Sequence, residues 1–172
     1  MLDNTTITVI AAIIIVCFLG IYLFVYKTEV KAIKKDEQKI NADKSLQLQA
    51  YERLTILAER LSLKNLVSRI SPAGMQVDVY HSLLVESIKH EYDYNLSQQL
   101  YVSSQAWQAI TNLKEQNIFI IHQLANTLPA GAAGIDLVKR VLELLDADPK
   151  TSLHTIVLDT LRFDAKKIME GA

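Results

Sequence analysis

The chain has 172 residues, 50% of them hydrophobic, with 18 Lys or Arg against 19 Asp or Glu for a net charge of −1. That length holds one modest domain plus an appendage. The lone cysteine, Cys17, excludes an intramolecular disulfide and fits a reducing compartment.

The appendage comes first. Residues Ile7 to Tyr26, ITVIAAIIIVCFLGIYLFVY, form a run of 20 without a charge. At about 1.5 Å per residue such a helix spans the roughly 30 Å of bilayer hydrocarbon, so residues 7–26 are predicted to cross a membrane and contact its lipid. A cleaved secretory signal needs a cationic start, a shorter apolar core and a small-residue cleavage site, and all three are missing. Val16 stands before Cys17 where a bacterial lipidation site takes a small residue, so the thiol reads as buried and inert. The tail at residues 1–6 carries no Lys or Arg, whereas Lys27, Lys31, Lys34 and Lys35 follow the span. The positive-inside rule then places the N-terminus outside and the C-terminal domain in the cytoplasm, with Tyr22 and Tyr26 as interfacial anchors.

Beyond the span there is no sustained period-2 alternation and no hairpin turn, while apolar spacings of three and four recur, so the class is all-α. The expected architecture is a transmembrane helix continuing into a charged juxtamembrane stalk at 27–45 and a four- to five-helix bundle over 46–172. In the stalk, Val30, Ile33 and Ile40 keep heptad spacing, but Glu37, Lys44 and Gln47 interrupt the seam, giving a solvated stalk more than a strong coiled coil.

Packing is expected from Leu46, with Ala50, Leu54, Leu57 and Leu61 inward. Ser62 caps a short helix carrying Leu66, Val67 and Ile70, which Ser71-Pro72-Ala73-Gly74 ends. A helix from about Met75 to Leu96 turns Val77 or Val79, Tyr80, Leu84, Ile88 and Tyr92 inward. Another, Ser104 to Thr127 with Ser103 as N-cap, buries Trp107, Ile110, Leu113, Ile121, Leu124 and Leu128. After the turn Pro129 to Gly134 comes a shorter helix with Leu137, Val138, Val141, Leu142 and Leu145. Asp148-Pro149 opens the last helix, with Leu153, Ile156, Val157, Leu161 and Ile168. No internal repeat is evident.

The net charge hides a division. Residues 27–72 hold 10 Lys or Arg against 6 Asp or Glu, and residues 75–136 hold 2 against 6. A basic first helix beside an acidic hairpin accounts for this through charge complementarity.

The candidate chemistry is sparse. Glu86, His90 and Asp93 stand at i, i+4 and i+7 on one helix and are the candidate metal ligands, but no second helix offers a matching set, and a polar face with a Lys89–Asp93 interaction is the simpler account. Five glycines include no phosphate-binding loop, and no GxSxG is present. No cofactor and no catalytic residue is expected. The segment HEYDYNLSQQLYVSSQAW, His90 to Trp107, concentrates aromatic and amide groups. Base stacking also requires a cationic surface, so the acidic hairpin argues against nucleic acid. The segment reads as a helical corner filled by Tyr92 and Trp107, with Asn95, Gln98 and Gln99 satisfying backbone groups. Tyr94, Gln98, Gln99 and Tyr101 are the candidate partner surface.

LQAYERLTILAERL, NLVSRI and above all EYDYNLSQQLYVSSQAWQAI resemble an uncharacterised family of small N-terminally anchored proteins of Bacteroidota. The resemblance implies a Gram-negative inner-membrane setting and carries over no catalytic residue. Leu63 departs from it, since relatives are expected often to have proline there, which makes the break near Ser62 softer. The expected function is a non-enzymatic single-span membrane protein whose cytoplasmic bundle binds or scaffolds another protein, or itself. The alternatives are a lipid-responsive regulator acting through the lysine-rich stalk and a metal-binding helical enzyme.

Overall fold

The computed structural model describes residues 40–147 and 153–171 together with positions 22, 26, 27, 29, 31 and 35. The chain divides into two units, Met1–Asp43 and Lys44–Ala172. In the first, every described position is helical and exposed, and Tyr22 and Tyr26 stack one turn apart with ring centroids 6.3 Å apart. The expected membrane span lies almost wholly outside the described residues, among which no helix is long and apolar enough to cross a membrane. The helix start at Asp148-Pro149 also lies outside them.

The second unit is all-α, with no strand among its described residues. It contains α1 (44–61), α2 (Leu63–Arg69), α3 (Val77–Tyr94), a 3-10 turn (Leu96–Leu100), α4 (Ser104–Asn126), α5 (Gly134–Ala147) and α6 (Leu153–Glu170). Six helices are thus described where the bundle was expected to have four or five, and the short helix that Ser62 was expected to cap is α2. One core joins Leu54, Leu57 and Leu61 of α1, Leu66 of α2, Tyr80, Leu84 and Ile88 of α3, Ile110, Leu113 and Ile121 of α4, Leu137 and Val141 of α5, and Val157 and Leu161 of α6. Within each longer helix these positions stand three, four or eight residues apart, so each contributes one apolar stripe.

Three inward assignments are corrected: Leu46, Leu142 and Ile156 are exposed, and the buried stripe of α1 starts at Ala50. Between Val77 and Val79 the helix can bury only one, because residues two apart on a helix point about 200° apart; Val77, in register with Tyr80 and Leu84, is the one inside, and Val79 is exposed.

The break between α1 and α2 is a single residue. The Ser62 N–H still donates to Ala58 O at 3.1 Å, while Ser62 Oγ accepts from the Asn65 N–H at the start of α2. Two asparagines complete the C-terminal end of α1. Asn65 Nδ2 donates to Glu59 O at 2.9 Å, and the buried Asn117 of α4 donates to Leu61 O at 2.7 Å, satisfying carbonyls that a helix terminus leaves without partners.

A local repeat, unexpected from the sequence, joins the two long connections. Pro72-Ala73-Gly74 and Pro129-Ala130-Gly131 each form a tight turn closed by a bond from the residue after the glycine, Met75 N to Pro72 O and Ala132 N to Pro129 O, both 3.1 Å. Gly74 and Gly131 sit at φ 72° and 82°, the left-handed region that the third position of such a turn demands. The turns then pair with two-fold symmetry: Val77 N donates to Ala132 O and Gly134 N to Met75 O, both at 2.8 Å. This bridge sets the starts of α3 and α5 side by side. Contact is so close that a Cβ on Gly134 would stand 2.9 Å from Tyr80 Cβ.

Candidate functional site

α3 and α4 pack as an antiparallel pair, since Tyr92 meets Trp107 and Thr111 at one end and His81 meets His122 towards the other. At the closed end the Tyr92 and Trp107 rings lie 5.1 Å apart. Thr111 Oγ1 donates to Trp107 O, so it accepts the Tyr92 hydroxyl at 2.9 Å. Lys114 Nζ sits 4.3 Å from the Tyr92 ring centre, a cation over an aromatic face.

Asn95 ends α3 and returns its side-chain amide to Glu91 O at 2.9 Å. The chain then makes one 3-10 turn before Ser103 starts α4. With three residues per turn, positions i and i+3 eclipse one another, so Asn95 and Gln98 both face inward. Gln98 is only 7% exposed and spends its amide on Ser97 Oγ, so it leaves the candidate partner surface. The same geometry drives Leu96 and Leu100 outward. Tyr94 is 76% exposed, Leu100 75%, Tyr101 43% and Leu96 41%, with Gln99 also at the surface. The two leucines were absent from the expected surface because the stretch reads as a polar connector in the sequence, and only the 3-10 turn assigns each of its side chains a face.

Beside this corner a shallow groove of about 400 Å³ runs between α1 and α3, lined by Arg53, Ile56, Arg60, His90, Glu91 and Tyr94 among others. Ile56 is exposed along its floor. Glu91 is held by Arg60 of α1 and, at 3.6 Å, by Arg69 of α2. The complementarity expected between a basic first helix and an acidic hairpin is thus concentrated on one carboxylate of α3.

Ser103 is the other organising residue. Its hydroxyl accepts the Ala106 N–H at 3.0 Å, capping α4, and donates to Asp164 Oδ2 of α6 at 2.5 Å. Tyr51 of α1 accepts the Ser103 N–H at 2.9 Å and donates to the same carboxylate at 3.1 Å. The Ser103 proton is committed to Asp164 and one of the two lone pairs on its oxygen to the cap. This cluster fastens three helices.

The three candidate metal ligands, Glu86, His90 and Asp93, all face solvent, and no group of three or more His, Cys, Asp or Glu able to hold a metal occurs among the described residues. Lys89 and Asp93 form no ion pair among the described residues. A larger cavity, about 580 Å³, is bordered by Glu59, Asn117, Leu145 and His154. His154 Nε2 lies 3.4 Å from Glu59 Oε2 without hydrogen-bond geometry, so it makes an ion pair only when the imidazole is protonated.

The match to a family spans residues 1–168, including the apolar run and the corner alike. The chain belongs to the family of unknown function DUF7935. No curated protein and no solved structure matches it. Membership in DUF7935 assigns no reaction and no ligand, so any role has to be argued from the surface just described.

Proposed function

We propose that this DUF7935 chain is a non-enzymatic single-span membrane protein of Bacteroidota that presents its helical unit to a protein partner on the cytoplasmic face of the inner membrane. The docking surface is the exposed corner of Tyr94, Leu96, Leu100 and Tyr101, with Gln99 between the two leucines and the Arg53–Ile56–His90 groove alongside.

One observation carries this reading: four large apolar or aromatic side chains within eight consecutive residues stand in solvent on a turn fixed from behind by Asn95, Gln98 and the Tyr92–Trp107 pair. Exposed apolar groups scattered singly need no explanation, whereas a contiguous patch rimmed by polar groups marks an interaction surface. Tyrosine and arginine beside leucine are also the composition from which interface anchors are drawn. Support for the membrane setting is separate. It rests on the uncharged run at 7–26 and the lysines that follow it.

The test is a photo-crosslinking amino acid placed at Tyr101 of the full chain in its own cells, with Phe163 on α6, 70% exposed, as the control position. The expected result is a defined crosslinked protein from position 101 that is absent from position 163 and lost in a Leu100→Asp background. Because Leu100 is exposed, that substitution should change stability by no more than about 0.5 kcal/mol. No defined adduct at position 101, or one that persists with Leu100→Asp, would overturn the reading.

A further inference from the structure

His81 on α3 and His122 on α4 were separate residues in the sequence, yet the helix pair brings their rings together. Nε2 of His81 lies 2.7 Å from Nδ1 of His122, with ring centroids 4.6 Å apart and planes tilted by 56°. One imidazole N–H donates to the other's lone pair. His81 is half-buried against the α3–α4 seam and His122 is exposed, so the pair opens to solvent from one side and is backed by packed helix on the other.

We propose that His81 and His122 form a two-imidazole binding site for a borderline divalent transition cation of the Zn²⁺ class, clamping α3 to α4. The donor set and spacing point to this chemistry. Imidazole nitrogen binds Zn²⁺ at about 2.0–2.1 Å in tetrahedral geometry, so two nitrogens sharing one ion stand about 3.3–3.4 Å apart. Binding would replace the 2.7 Å N–H···N hydrogen bond and move the two nitrogens apart by about 0.6–0.7 Å, a displacement that rotation of the exposed His122 ring supplies. Because each ligand belongs to a different helix of one packed pair, the fold brings the two imidazoles together before the ion arrives.

The Asp78 carboxylate places negative potential beside the pair, as a bound cation requires. With no third protein ligand, water completes the coordination shell. Such a site is weaker than a closed structural zinc centre, and its two imidazole donors select against Mg²⁺ and Ca²⁺, which take oxygen ligands from the protein.

The test uses the full chain in mild detergent, titrated calorimetrically with Zn²⁺ and, as a control, Mg²⁺. The expected result is saturable binding of one Zn²⁺ per chain, a Zn²⁺-dependent rise in Tm, and no response to Mg²⁺. His122→Ala should weaken Zn²⁺ binding at least tenfold and abolish the rise in Tm, while His90→Ala leaves both unchanged. If His122→Ala disturbs the fold, ¹⁵N imidazole spectra of the unsubstituted chain decide the matter, because Zn²⁺ must shift His81 Nε2 and His122 Nδ1 together. Absence of saturable binding, binding indifferent to His122→Ala, equal loss in His90→Ala, or ring signals that do not move would each overturn the proposal.

Discussion

Ser103 shows how much one side chain can determine. Its hydroxyl caps α4 and reaches α6, and its N–H reaches α1 through Tyr51. Removing an N-cap oxygen costs about 1–2 kcal/mol, and stranding the Asp164 carboxylate beside Tyr51 adds to that. Ser103→Ala should therefore lower stability by about 2 kcal/mol in denaturant titrations of the full chain in detergent. A double-mutant cycle with Asp164→Asn should return a coupling of at least about 0.5 kcal/mol, because the two residues share a bond. Tyr51 carries a pH signature of the same cluster. Its hydroxyl is pushed above the ordinary 10.0 chiefly by burial, partly opposed by the bonds from Ser103, with the Asp164 charge adding to the rise. Tyr80, buried with its hydroxyl on Ile70 O, is raised likewise. A phenol whose folded value is raised contributes stability that is complete below pH 10.0 and vanishes as pH climbs through the raised value. Alkaline unfolding should thus accompany a late phase of phenolate absorbance, and Tyr51→Phe should remove one phenolate from that phase.

At the scale of elements, the paired Pro-Ala-Gly turns decide how α3 and α5 meet. Two backbone bonds and the absence of a side chain at Gly134 let the start of α5 lie against Tyr80. Alanine is the better helix former, so an isolated-helix argument predicts that Gly134→Ala stabilises. The tertiary contact reverses the sign: a Cβ there would meet Tyr80 Cβ at 2.9 Å and Tyr80 Cγ at 3.1 Å, and overpacking of this kind costs about 1–3 kcal/mol. Thermal unfolding should show Gly134→Ala destabilised. Gly131→Ala, which meets no atom within 4 Å but holds φ at 82°, should lose only about 1 kcal/mol through backbone strain. Both Pro-Ala-Gly triplets are plain in the sequence. That they pair was not, because the bonds run between backbone groups and leave no side-chain pattern to find.

For the whole molecule, the proposed topology makes a direct prediction. In a chain with Cys17 replaced by Ser, Asn4→Cys should react with a membrane-impermeant maleimide added to cells whose outer membrane has been opened, and Ala172→Cys should react only after detergent. Reaction of position 172 alone would reverse the orientation. At this scale the all-α class, the caps at Ser62 and Ser103 and most inward stripes were legible in the sequence, because a 3.6-residue period and a cap are local properties written in consecutive residues. The candidate surface was legible only in part. Tyr94, Gln99 and Tyr101 face solvent, but Gln98 turned inward and Leu96 and Leu100 outward, since helical and 3-10 spacing part within one turn.

The sequence by itself determined which segments are helices, where two of them begin, and that an uncharged run of 20 residues precedes a folded unit. Tertiary structure alone decided which residues from different helices meet: Ser103 with Asp164, Asn117 with Leu61, Gly134 with Tyr80, and His81 with His122. The reason is physical. Periodicity fixes the face on which a side chain stands, but the partner across the gap depends on the register at which two helices pack, and that register is set by the whole core at once.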